Sequence, residues 1–236
     1  MLRKSILTAA LALATLLGAV FFGSAPASAD SGLSQADIDY VRTSLTKYAV
    51  PANTQDALIK ALVNGERWDS ETGAAPVATE HSTVGGFERT IYRYEDGSIN
   101  ASLVEVPKAT SGGAGTMGIS GCQSVSATGA KAWRNCKIAW DAATWSVNFT
   151  AAYRYYLGPV YGCYIDSIAG LAHGGIGSFS NGSLEFITRS ASGYSGTCVA
   201  RGSYWRSGGG VFSETVGVQL NLSAQHGGGW TSKVGS

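Results

Sequence analysis

The chain has 236 residues and a formal net charge of +1, with 17 Lys and Arg against 16 Asp and Glu. That length allows one large or two small domains, and the near-neutral balance without a basic run argues against nucleic-acid binding. Glycine is abundant (32) and proline scarce (5), a pattern of many tight turns between strands rather than of disorder.

Residues 1–29 carry Arg3 and Lys4, then an apolar run, then Ala27-Ser28-Ala29. This is the pattern of a secretory signal peptide, with cleavage expected before Asp30. The segment has no lipobox cysteine, and no later stretch is apolar for long enough to span a bilayer. The expected localisation is therefore secreted and extracellular. Charge in the remainder is uneven. From Asp30 to Thr116, 12 acids face 7 bases, about −5; from Met117 onward, 4 acids face 8 bases, about +4. Either both halves are simply solvated, or they attract each other or an anionic surface.

Ser34 opens SQADIDYVRTSLTKY, where it can cap a first turn that has Asp37 at its electropositive end. Ile38, Val41 and Leu45 share a helical stripe, and Pro51 ends the segment. A second helix follows, capped by Asn53 or Thr54, with Leu58, Ile59, Leu62 and Val63 as its stripe and Asn64-Gly65 as its stop. Helices this short do not persist alone, so the pair is expected to dock on the β region. Residues 69–84 read as loop. Asp96-Gly97 then marks the turn of a hairpin whose apolar positions are Phe87 and Ile91 on one arm and Ile99, Ala101 and Leu103 on the other. Residues 30–107 thus read as a helical pair plus a hairpin. The stretch 108–118 is small, polar and glycine-rich, and reads as a linker.

Residues 119–236 hold Cys122, Cys136, Cys163 and Cys198 and read as a disulfide-stapled β domain. An extracellular compartment favours disulfides, and without CxxC a zinc site is a poor alternative. Of three possible pairings, Cys122–Cys136 and Cys163–Cys198 join neighbouring strands. Their loops correspond to roughly 3 and 4 kcal/mol of chain entropy. In TWSVNFTAAYRY, Trp145, Val147, Phe149, Ala151, Tyr153 and Tyr155 share one face, the period of a half-buried strand. Strands are expected near 119–126, 131–140, 144–157, 183–190, 197–206 and 211–223. In the last, Phe212, Val216, Val218, Leu220 and Leu222 point inward. The expected fold is mainly β, an antiparallel β-sandwich or barrel with a short N-terminal α-helical hairpin.

The signal, the stretch TQDALIKALVNGERWDS, the YRYEDGS hairpin and the cysteine-bounded β region together resemble uncharacterised secreted proteins of high-GC Gram-positive (actinobacterial) bacteria. The resemblance implies secretion and a similar fold. It implies no activity.

His173, with Asp166 seven residues earlier and several serines after it, offers residue types for nucleophilic hydrolysis; a loop histidine among glycines is the plainer reading. No GxSxG elbow is present. His81, His173 and His226 form no metal-ligand spacing, and no cofactor is expected. Paired carboxylates for glycoside hydrolysis are thinly supplied, by Asp141, Asp166, Glu185 and Glu214. Aromatic side chains are the richer resource. Tyr161, Tyr164, Trp205, Arg206 and Trp230 are the candidate contact residues, since exposed aromatic and Arg groups bring large area at low entropy cost. The sequence therefore points to a non-catalytic extracellular binding module for a protein or a cell-wall glycan. A hydrolase using Asp166 and His173, or a structural or inhibitory protein, is the alternative.

Overall fold

The computed structural model describes residues 32–109, 121–158, 160–208, 211–225 and 228–235. The expected signal at 1–29, most of the glycine-rich stretch and His226 lie outside the described residues.

The chain begins with two helices. Helix α1 (Gln35–Lys47) starts in a capping box: Asp37 N–H donates to Ser34 Oγ at 3.2 Å, and Ser34 N–H donates to Asp37 Oδ2 at 3.0 Å. Helix α2 (Ala52–Val63) has Pro51 as its N-cap, two or three residues before the Asn53 or Thr54 cap expected, with no side-chain cap. Arg42 pairs with Asp56 across the two helices at 2.8 Å. Residues 69–84, expected as loop, instead contain a single-turn helix α3 (Asp69–Thr72) and a strand β1 (Ala78–Val84). All seven residues of β1 are exposed, so it has no hydrophobic alternation by which to be recognised.

Strand β1 turns tightly through Gly85-Gly86, both at positive φ, into β2 (Phe87–Arg93), and β2 pairs with β3 (Ile99–Glu105) across the Asp96-Gly97 turn. Then come β4 (Lys108–Ala109), β5 (Gln123–Ala127), β6 (Ala130–Asp141), β7 (Trp145–Tyr156) and β8 (Gly162–Gly175). The remaining strands are β9 (Ser178–Thr188), β10 (Ser190–Ser192), β11 (Thr197–Gly208), β12 (Phe212–Ser223) and β13 (Gly228–Val234). They form two sheets. The first runs β1-β2-β3-β6-β7-β8-β10, with β5 on the N-terminal half of β6 and β4 beside β5; the second runs β13-β12-β11-β9. Pairing is antiparallel except between β4 and β5. The sheets do not close, so of the two expected architectures the sandwich is the one observed.

Between the sheets lies the main core. The expected inward set of β7, from Trp145 to Tyr155, meets Cys198 and Ala200 of β11 and Val216, Val218, Leu220 and Leu222 of β12. Cys163–Cys198 joins β8 of one sheet to β11 of the other, and Cys122–Cys136 ties the entry to β5 onto β6. A second core lies on the outer face of the first sheet. There Val41, Leu45, Leu58 and Leu62 of the helices cover Ile91, Ile99 and Ala101. Each large side chain buried this way contributes about 1.5–3 kcal/mol. Asp141 anchors the contact by accepting from Lys47 Nζ at 2.7 Å and Tyr48 Oη at 2.6 Å. The molecule is thus a helical layer on a two-sheet sandwich. β3 pairs with β6 across the glycine-rich stretch, and the residues after Asp30 make one compact unit by their contacts.

Candidate functional site

Strand alternation sorts the proposed contact residues. On β11, Cys198, Ala200, Gly202, Tyr204 and Arg206 point inward, and Val199, Arg201, Ser203 and Trp205 point outward. Arg206 was expected as an exposed contact. It is instead fully buried, because its parity is that of the core cysteine. Its guanidinium lies over the Phe212 ring at 3.4 Å, donates from Nη1 to Glu71 Oε1 at 3.2 Å and from Nε to the Ile176 carbonyl at 3.2 Å, and lies 3.5 Å from Glu214 Oε1. Thr144 donates to Glu71, and Arg67 donates to Glu214. Burial drives the Glu214 carboxyl above, and the Arg206 guanidinium below, their ordinary pKa values. This buried cluster clamps α3 to the crossover between the sheets. It has the makings of structure, not of ligand recognition.

Trp205 and Trp230 both lie on the outer face of the second sheet, 39% and 37% exposed. Trp205 stands opposite Thr215 and Trp230 opposite Asn221. Six residues of β12 separate those partners, so the two indoles are set about 20 Å apart along the strands. Between them a row of polar side chains crosses all four strands. Glu185 Oε1 of β9 lies 3.8 Å from Arg201 Nη1 of β11, and Arg201 Nη2 donates to Gln219 Oε1 of β12 at 3.2 Å. Gln219 Nε2 donates to Asn221 Oδ1 at 2.8 Å, and Asn221 Nδ2 donates to Ser232 Oγ of β13 at 3.1 Å. Each group fixes the next, so both amides are held in one orientation. The sequence reading missed Arg201, Gln219, Asn221 and Ser232 as contact residues, and weighed Glu185 only as a carboxylate for glycoside hydrolysis. The signal was available: in VFSETVGVQLNLS the positions alternating with the apolar set are the polar ones that carry this row.

The tyrosines lie elsewhere. Tyr161 packs edge-on against Tyr194, ring centroids 5.2 Å apart. Tyr164 sits on the outer face of the first sheet under two guanidinium groups, Arg154 at 5.2 Å and Arg189 at 5.3 Å. The structure therefore brings Trp205 and Trp230 onto one face, Tyr161 and Tyr164 to another part of the molecule, and Arg206 to neither.

Asp166 and His173 are not brought together. Both lie on β8, seven residues apart, which is about 23 Å in extended chain. Asp166 pairs with Arg154, while His173 stacks on Phe179 at 4.3 Å and meets Tyr204 edge-on at 4.5 Å. His81 contacts Thr90 Oγ1 at 3.0 Å. Among the described residues no group of three or more His, Cys, Asp or Glu is placed to hold a metal ion. A cleft of about 480 Å³ at the sandwich end is lined by Glu88, Glu105, Trp133, Tyr153 and Trp230. Glu105 already accepts from the backbone N–H groups of Cys122 and Lys137, both at 3.0 Å, and burial pushes the Tyr153 hydroxyl above its ordinary pKa. Trp230 borders both the cleft and the polar face.

No helix of the described residues is long and apolar enough to cross a membrane. Comparison with protein-family models, with curated proteins and with solved structures finds no match to this chain.

Proposed function

We propose that the protein is a secreted, non-catalytic binding module whose second sheet presents its outer face to an extended glycan. The observation that carries this reading is the ordered row Glu185–Arg201–Gln219–Asn221–Ser232 flanked by two exposed tryptophans. A sugar chain offers two kinds of group, axial C–H faces and hydroxyls. Indole faces take the first by apolar contact. The Gln219 amide and the Arg201 guanidinium take the second by donating and accepting in known directions, while Asn221, 7% exposed, serves to hold Gln219 in place. A face that is already ordered loses little entropy on binding. Two indoles about 20 Å apart suit a ligand several rings long rather than a monosaccharide.

Retention on purified cell-wall polysaccharide, compared between the protein and its Trp205→Ala and Trp230→Ala variants, tests the proposal. Either substitution should weaken retention by roughly tenfold, the worth of one desolvated aromatic contact, with little change in thermal stability. Retention that both variants leave intact, or no retention of the folded protein on any wall glycan, would remove the reading.

A further inference from the structure

The outer face of the first sheet is divided. One end lies under the helices, fixed by Asp141. The other end is open and basic. Arg154 of β7 lies beside Tyr164 of β8, and Ala132 of β6 lies opposite Arg154. Arg134, at the register shift of β6, lines the same concavity of about 400 Å³ as Arg154, together with Asn135, Asp166 and Ser167. Lys137 lies on β6 opposite Thr150. Arg189 reaches in from the end of β9, donating from Nε to the Ile165 carbonyl at 3.3 Å and from Nη2 to the Asp166 carbonyl at 3.1 Å.

We infer that this concavity is a binding site for phosphate esters, and for a phosphodiester polymer in particular. Two bases, Arg134 and Arg154, line it; Arg189 stands beside it on the Tyr164 ring, and Lys137 lies further along β6, opposite Thr150. Two acids oppose them. Asp166 pairs with Arg154 alone, and Glu105 directs its oxygens at two backbone N–H groups. Among the described residues neither Arg134 nor Lys137 forms an ion pair, and both are exposed. The Arg154 Nε is buried and has no hydrogen-bond partner. The site is also built rather than merely charged. Tyr164 holds two guanidinium planes in place through its ring faces, and the carbonyls of β8 hold Arg189 a second way. Small side chains, Ala132, Ala152 and Ser167, line the floor, so an anion can come close to the guanidinium edges. Guanidinium forks match the oxygens of a phosphate two at a time, and several forks on adjacent strands match a ligand with repeated phosphates. This site lies on the opposite sheet from the tryptophans and does not depend on the glycan reading.

Inorganic polyphosphate is the probe, with neutral dextran and dextran sulfate as controls, measured by titration calorimetry on the full secreted chain. Polyphosphate should bind at about 50 mM salt and lose roughly tenfold or more in affinity by about 300 mM, as a screened charge contact does. The Arg134→Glu, Lys137→Glu variant changes two exposed side chains without ion pairs and should weaken binding at least about tenfold. Asp166→Asn should tighten binding severalfold by removing the carboxylate that competes for Arg154. Trp205→Ala should change nothing. Absence of polyphosphate binding, unchanged binding in the doubly charge-reversed variant, or dextran sulfate bound as tightly as polyphosphate would each overturn the assignment.

Discussion

Trp205 and Arg206 are adjacent in sequence and have opposite fates. One is on the surface and the other is buried with 0% exposure, because a strand sends neighbours to opposite faces. That parity was legible: Arg206 shares it with Cys198, whose disulfide fixes the inner face. What was not legible is why a guanidinium is tolerated there. Its partners are Glu71 from a four-residue helix and Thr144 from a tight turn, 135 and 62 positions away. No local pattern announces such a meeting. Once the charges are buried together, removing one leaves the other uncompensated. Arg206→Ala should therefore lower the unfolding free energy by about 3–5 kcal/mol, far more than truncation of an exposed arginine. Urea unfolding of Arg206→Ala beside Arg134→Ala makes the comparison, and equal small losses would show the cluster to be energetically idle.

The elements that followed clean alternation were the readable ones. β7 shows a burial pattern of strict in-out order from Trp145 to Tyr155, as its apolar residues require. β8 escaped recognition for an equally physical reason. Its pairing with β7 shifts register twice, near Asp166 and near Gly170, and each shift interrupts the period of two. His173, which its glycine neighbours mark as a loop residue, lies in this strand. Between β8 and β9 the chain passes from one sheet to the other through Gly175-Ile176-Gly177. Gly177 has φ +90°, and a Cβ there would stand 2.8 Å from the Ser207 carbonyl oxygen. Both the left-handed backbone and the close approach exclude a side chain. Gly177→Ala should cost about 1–3 kcal/mol, whereas Gly193→Ala, equally left-handed but in open space, should cost less. Thermal melts of the two variants give the ranking, and the reverse order would mean that backbone strain at the crossover is relieved by movement.

On the scale of the molecule, the apolar stripes of α1 and α2 announced that the helices must be covered, and they are. The charge imbalance was also visible, but its resolution was not. Three ion pairs among the described residues join the two halves of the chain: Lys47–Asp141, Arg67–Glu214 and Arg206–Glu71. Only the last sets a base of the positive half against an acid of the negative half. The excess of the second half is therefore not neutralised by the first, and part of it, Arg134 and Lys137, lies on β6 of the first sheet. Composition showed that surplus; only folding shows where this part of it lies.

The bond between Cys163 and Cys198 spans 35 residues and rivets the sheets to each other. Its mechanical meaning is distinct from its effect on equilibrium stability. If the molecule is stretched from its ends, tension bypasses the enclosed segment through the covalent link. That segment holds most of β8, all of β9 and β10, and the start of β11. Single-molecule extension should release about 12 nm less chain from the oxidised protein than from one lacking this bond, from ~3.3–3.6 Å per residue over the enclosed loop. Equal extensions for the protein and its Cys163→Ser, Cys198→Ser variant would show that load does not pass that way. With the rivet intact, the Arg189–Tyr164–Arg154 pocket wall, anchored on β8, stays inside or beside the shielded segment after the helical layer and the first strands have been pulled away.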